Sequence, residues 1–206
     1  MKSLKTLLTT ITSIIVIVVA LGSTLLAYAF ARDAALKLVE AELDATTVLS
    51  AKYIASEINT DMGVLKALAL RDTLKDSSIP WNEKISDLVN VLEQDETRLI
   101  YGFSDEKGNA HLTNGDTMDI SDEEFFKKTQ KKNLFVTDPK ESHLFPGEMV
   151  VIYSVPVLDD AGKFFGCLFL EKNAKFLSER MNDVHVSDGA NLFMISTLTG
   201  NTVADG

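Results

Sequence analysis

Ile120–Glu171 decides the fold: ISDEEFFKKTQKKNLFVTDP over 120–139, then EMVVIYSVPVLDDAGKFFGCLFLE over 148–171. Ser121 followed by Glu124 reads as a capping box, in which each side chain satisfies a free amide of a helix's first turn. Leu134–Thr137 reads as a strand closed by Asp138-Pro139. Met149–Leu158 is a long alternating run, Asp159–Gly162 a turn, and Lys163–Leu170 a returning strand. A capped helix, a strand and a hairpin in that order suit a small antiparallel α+β sheet with helices on one face.

The flanks extend the pattern. Arg98–Ser104 predicts a strand, Glu106–Asn109 a turn and Ala110–Thr113 a return. Upstream, Ser77-Ser78-Ile79-Pro80 breaks a long helical stretch, and Pro80 suits the first turn of a new helix. Trp81, Ile85, Leu88, Val89 and Leu92 give that helix its apolar face, with Trp81 read as a core anchor in preference to a ligand platform. Downstream, Asn173 to about Val184 predicts another helix, with Phe176, Leu177 and Met181 inward. Five antiparallel strands with flanking helices make a PAS-like layout, which holds a small molecule between its concave face and the loops above.

Before this domain, Asp33 to about Asp76 reads as one long helix or two in line. Val39, Leu43, Ile54, Ile58, Met62 and Leu65 form an apolar stripe, interrupted by Thr46, Thr47 and Ser50. A small domain cannot bury such a helix along its whole length, so its membrane-near half is expected to pair with a second copy, giving a homodimer. Lys2 and Lys5 precede an uncharged run of 26 residues, Thr6–Ala31. As helix that is about 39 Å, enough for a bilayer core of about 30 Å. The lysines place the N-terminus in the cytoplasm and the chain from Arg32 onward outside it. The rival reading is a cleaved signal peptide ending near Ala27-Tyr28-Ala29, against which stands the length of the apolar run.

The chain of 206 residues carries a net charge of −10, and residues 32–206 hold 18 basic and 30 acidic residues, net −12. So acidic a surface argues against nucleic acid and against anionic lipid as partners. The single cysteine, Cys167, excludes an internal disulfide and reads as a buried small hydrophobe. No catalytic signature is present: no G-x-S-x-G, no glycine-rich phosphate loop and no H-E-x-x-H. His111, His143 and His185 lie in separate segments, none spaced for a local metal motif, and no cofactor is expected. Asp122, Glu123 and Glu124 would sit in a helix's first turn, where negative charge is favoured.

One repeat is visible. Tyr101–Asn109 can be laid over Phe193–Asn201 at an offset of 92 residues, with Ser104 on Ser196, Gly108 on Gly200 and Asn109 on Asn201. That suggests a second copy of the same hairpin opening a second module. The chain stops inside that hairpin, and the expectation is a fragment of something larger.

ISDxxxF, a strand ending in TDP, then VVIYSVPV, a turn and FFGCLFLE together resemble the extracytoplasmic Cache sensor domains of bacterial receptors, over roughly Ala31 to the end. The repeat makes the double Cache form the one resembled. The resemblance implies a division into 1–31 (cytoplasmic end and membrane helix), 32–76 (signalling helix), 77–184 (membrane-distal sensor module) and 185–206 (start of a membrane-proximal module). It implies ligand sensing, not catalysis, with a methyl-accepting chemotaxis receptor as owner. A sensor histidine kinase or diguanylate cyclase is the alternative, and a membrane-anchored exported binding protein or enzyme a further one.

The resemblance also implies a ligand site. Amino-acid-binding members carry an arginine about two residues before an aromatic pair, and an aspartate at the end of the last strand. Here Phe125-Phe126 stands at the aromatic position, Glu123 at the arginine's and Glu171 at the aspartate's. An acid for a cation is kept and the anion clamp is reversed in charge, so an amine-bearing or cationic small molecule is expected over an α-amino acid. Position adds Tyr101, Phe135, Asp138 and Tyr153 as pocket candidates. Alternation puts Val151, Tyr153 and Val155 on one face and Val150, Ile152 and Ser154 on the other; which face is concave stays open.

Overall fold

The computed structural model describes residues 4–92, 95–182, 193–196, 200 and 202–205. The apolar run and the amphipathic stretch after it form helix α1 (Leu4–Ala69), the one helix among the described residues long and apolar enough to cross a membrane. The chain divides into two compact units, residues 1–48 and 49–206. In the first, side chains such as Leu21, Leu25 and Phe30 are exposed, as a candidate membrane span requires.

In the second unit α1 ends at Ala69, and the backbone is extended at Arg71. The chain turns there instead of continuing to Asp76. The turn leaves Leu70 outside and lets Leu74, on the short helix α2 (Asp72–Lys75), reach the core. Helix α3 (Trp81–Leu92) starts after Pro80, whose carbonyl accepts from the amides of Glu83 and Lys84. Its Ile85 and Leu88 are buried. Trp81 stacks on His111 with ring centroids 4.2 Å apart and tilts against Phe103, so it is a packing residue.

Among the described residues the sheet has seven strands: β1 (Arg98–Ser104), β2 (Asn109–Leu112), β3 (Thr117–Asp119), β4 (Phe135–Val136), β5 (Lys140–Glu141), β6 (Met149–Leu158) and β7 (Phe164–Asn173). Their order is β3-β2-β1-β7-β6-β4, with β5 also on β6, and every pairing is antiparallel. The long β6–β7 hairpin forms the centre as the alternating runs require. The short β3 and β5 are additions that sequence did not announce, each too brief for periodicity to register. Helices α4 (Glu124–Gln130) and α5 (Lys175–Asn182) pack on opposite faces of the sheet. The far end expected for α5, at Val184, lies outside the described residues, as do His185 and Asn201.

The capping box is not formed. α4 begins at Glu124, with Glu123 as its cap and no side-chain capping bond. The Ser121 amide donates to Asp119 Oδ1 at 2.8 Å, and the Glu123 amide donates to the Ile120 carbonyl. A turn therefore consumes the residues that would have capped a longer helix. Asp122 lies before the helix and pairs with Lys127.

Both faces of the sheet are covered. Tyr101, Tyr153, Val155, Leu168 and Leu170 pack against Leu65 of α1, Leu88 of α3 and Phe176 of α5. Ile100, Ile152, Cys167 and Phe169 point the other way, against Phe125 and Phe126 of α4. The alternation read from the sequence thus separates two cores, and the expectation of helices on one face holds for all but α4. Cys167 is fully buried and its thiol is held protonated by burial. At the C-terminal end, β8 (Phe193–Ile195) pairs antiparallel with β9 (Thr202–Asp205). Gly108 and Gly200, matched in the repeat, both take positive φ, +99° and +72°.

Candidate functional site

The α4 face of β7 carries Glu171. In β7 it pairs with Ile152 on one side and Ile100 on the other, apolar neighbours on the same face. The residue is 4% exposed. Oε2 accepts a hydrogen bond from Ser142 Oγ at 2.7 Å. Ser142 follows β5, and its oxygen in turn accepts from the amides of Leu144 and Phe145 at 3.1 Å each. One serine therefore ties the 142–148 loop to the sheet's buried acid. Leu144 and Phe145 lie against the α4-side core and cover it.

Glu123 enters from the cap of α4. Its Oε2 lies 2.8 Å from Lys140 Nζ and its Oε1 is 3.4 Å from His143 Nδ1. The Lys140 ammonium is also 5.9 Å from the Phe125 ring centroid. Burial pushes the Glu171 carboxyl above its ordinary range. The Ser142 hydroxyl and the charges of Lys140 and His143 pull it back, and Glu123 adds repulsion. Those interactions place both carboxylates, the lysine and the histidine in one electrostatic neighbourhood. Desolvated acid, a paired ammonium and aromatic rings together suit an ammonium group.

The eight candidate residues divide. Glu123, Phe125, Phe126, Phe135 and Glu171 belong to the α4 side. Tyr101 and Tyr153 belong to the helix-facing core on the opposite side, because each pairs with Leu170, one residue out of phase with Glu171. Asp138 is exposed and accepts from Ser196 Oγ at 2.6 Å. Lys140, Ser142 and His143 were absent from the candidates. The signal was Lys140-Glu141-Ser142 after a proline, where a two-residue spacing puts Lys140 and Ser142 on one side of an extended chain. It was hidden because this stretch reads as loop.

This architecture occurs in solved structures. The sensory domain of the Campylobacter jejuni chemoreceptor Tlp3, solved with isoleucine bound, superposes with a TM-score of 0.65 at 16% identity, over 82% of this chain and 71% of that one. The ligand-binding domain of the Pseudomonas aeruginosa amino-acid chemoreceptor PctC, in complex with GABA, gives 0.62 at 19%, over 76% and 71%. That of the Pseudomonas fluorescens chemoreceptor CtaA, in complex with L-serine, gives 0.58 at 13%, over 76% and 67%. The chain has the fold of a chemoreceptor sensory domain. No family model matches the sequence, and no curated protein matches it either. At these identities the likeness is one of fold, and the ligand chemistry rests on the residues described above.

Proposed function

We propose that this chain is the extracytoplasmic sensor of a membrane receptor of the double Cache type, most similar to a methyl-accepting chemotaxis receptor, and that it binds a small solute through an ammonium group. The observation that carries the reading is Glu171: a carboxylate buried in the sheet, held up in pKa by desolvation and tied to a covering loop by Ser142. A bound ammonium gives that acid a charge partner in a dry site, where the pair is worth far more than in water. Lys140 stands in for such a cation, neutralising Glu123 beside the Phe125 ring. Entry of the solute displaces the 142–148 loop, and its closure orders the site.

The fold supports sensing by its likeness to chemoreceptor domains. α1 supports a membrane anchor through its exposed apolar residues, and Leu36, Val39 and Leu43 supply a surface on which two copies pair. In this reading the solute changes how the helices of a dimer sit, and it does so only by its difference in affinity for the two states. The β8–β9 hairpin opens the membrane-proximal module.

A second reading is favoured by Lys140. Isoleucine, GABA and serine, named with the structural relatives, each carry a carboxylate as well as an amine. A zwitterion could set its amine on Glu171 and draw Lys140 from Glu123 to its carboxylate. A thermal-shift screen of amines, amino acids, organic acids and sugars against the protein and its Lys140→Gln variant separates the two. An amine ligand keeps or gains affinity in the variant, and a zwitterion loses it. A panel that shifts nothing in either protein would sink both.

A further inference from the structure

Lys172 follows Glu171 in β7, and the pleat sends the two side chains to opposite faces. On the helix side Lys172 is fully enclosed. Its Nζ lies 2.8 Å from Asp61 Oδ2 and 2.8 Å from Glu57 Oε1, both on α1. Arg98, paired with Lys172 across β1, holds the other Asp61 oxygen at 2.8 Å. Two cations directly opposed across strands repel, and one α1 carboxylate lies between them. The sheet therefore grips α1 through Asp61, and the grip depends on where β7 holds Lys172.

The same neighbourhood contains two unused donors. Among the described residues, the hydroxyls of Tyr101 and Tyr153 are buried with no hydrogen-bond partner. They flank Leu170 on the α1-facing side. Burial keeps both protonated, Tyr101 pushed up to about 12 and Tyr153 further, and the Asp61 carboxylate acts on both in the same direction. Buried donors left without acceptors are costly and rare. A carboxylate offers about four acceptor sites, so an Asp61 released by Lys172 has donors waiting for it.

We propose that Asp61, Arg98, Lys172 and the two tyrosines form a two-position relay between the Glu171 site and α1. This rests on the reading of Glu171 as the acid that receives the solute. In one position Arg98 and Lys172 hold Asp61. When a cation neutralises Glu171 on the opposite face, β7 shifts, Lys172 draws back, and Asp61 turns to the tyrosine hydroxyls, carrying α1 with it. Lys172 and the tyrosines are positioning residues that touch no solute. A relay of this kind needs two discrete arrangements that both ends can bias, and the unused hydroxyls supply the second.

The test needs no ligand. Glu171→Gln removes the charge that a bound ammonium neutralises. Hydrogen exchange over residues 54–69 is followed on the full chain in lipid nanodiscs, for that variant alone and combined with Lys172→Met or Tyr153→Phe. The relay predicts that Glu171→Gln alone changes exchange there by roughly twofold to a hundredfold, the usual scale of coupling between interacting residues. It predicts that the change disappears in both combinations. Tyr153→Phe keeps the ring in the core, so a lost response there is not unfolding. No response to Glu171→Gln, or a response that survives in either combination, overturns the relay. Solute binding in the screen would stand regardless, since it reads the α4 face alone.

Discussion

Glu171 and Lys172 are consecutive in β7 and serve opposite faces of one sheet: the Glu171 carboxylate accepts from Ser142 at 2.7 Å, and the Lys172 ammonium lies 2.8 Å from Asp61. Each is a buried charge, and each makes its side of the sheet sensitive to substitution in a different way.

On the α4 face, Glu171→Gln should preserve the fold, since glutamine can still accept from Ser142, and should weaken amine binding. A charge-assisted hydrogen bond is worth about 1.5–3 kcal/mol, so affinity should fall on the order of tenfold to a hundredfold. Isothermal titration with the best amine from the screen checks this. Unchanged affinity would remove Glu171 from the site.

The pH dependence follows from the raised pKa of Glu171. A carboxyl that binds its proton more tightly in the folded state contributes stability below its unfolded value, near 4.5, and loses that contribution as pH rises through the folded pKa. An ammonium favours the ionised acid, so binding expels the proton. Apparent amine affinity should therefore climb as pH rises through that window from 4.5 upward, and Glu171→Gln should flatten the profile. Titrations at a series of pH values read the slope, and a profile equally steep in both proteins would contradict the assignment.

On the α1 face, Asp61 is 2% exposed and holds two cations. Removing one partner of a buried ion pair leaves charge uncompensated, at a cost of about 3–5 kcal/mol. Asp61→Ala should lower unfolding stability by that order in urea titrations of the second unit. A loss within the range of an exposed pair, below about 1 kcal/mol, would mean that the cluster is wet.

Two glycines separate backbone from side-chain crowding. A Cβ at Gly166 would stand 2.0 Å from the Ser104 carbonyl oxygen, whereas at Gly102 it meets the Phe169 ring at 2.2 Å. A ring can turn and a paired strand cannot, so Gly166→Ala should cost more than Gly102→Ala. The expected loss is at or above the roughly 1–3 kcal/mol typical of overpacking. Parallel urea titrations rank them, and the reverse order would contradict the β1–β7 contact.

The central hairpin was legible because ten-residue strands alternate long enough for both faces to declare themselves. Tyr153 and Ile152 fell on opposite sides as their positions required. The candidate membrane span was legible because an uncharged apolar run of that length can be read directly from the sequence. The start of α4 was not, since Asp119 competes for the Ser121 amide and no local pattern reveals that competition. Glu171 and Glu123 are candidates that the family resemblance implies. Lys140 and Ser142 are not, because β5 has two residues and owes its place to β6. Tyr101 and Tyr153 were placed in the pocket by position along the strand, and only the register with Leu170 shows that they face α1.

The most direct measurement is calorimetric titration of amines into the wild-type protein and its Glu171→Gln variant at the same pH. The account predicts saturable binding of an amine by the wild type and a fall on the order of tenfold or more in the variant. Saturable binding that the variant retains in full, or no binding of any amine by the wild type, would contradict it.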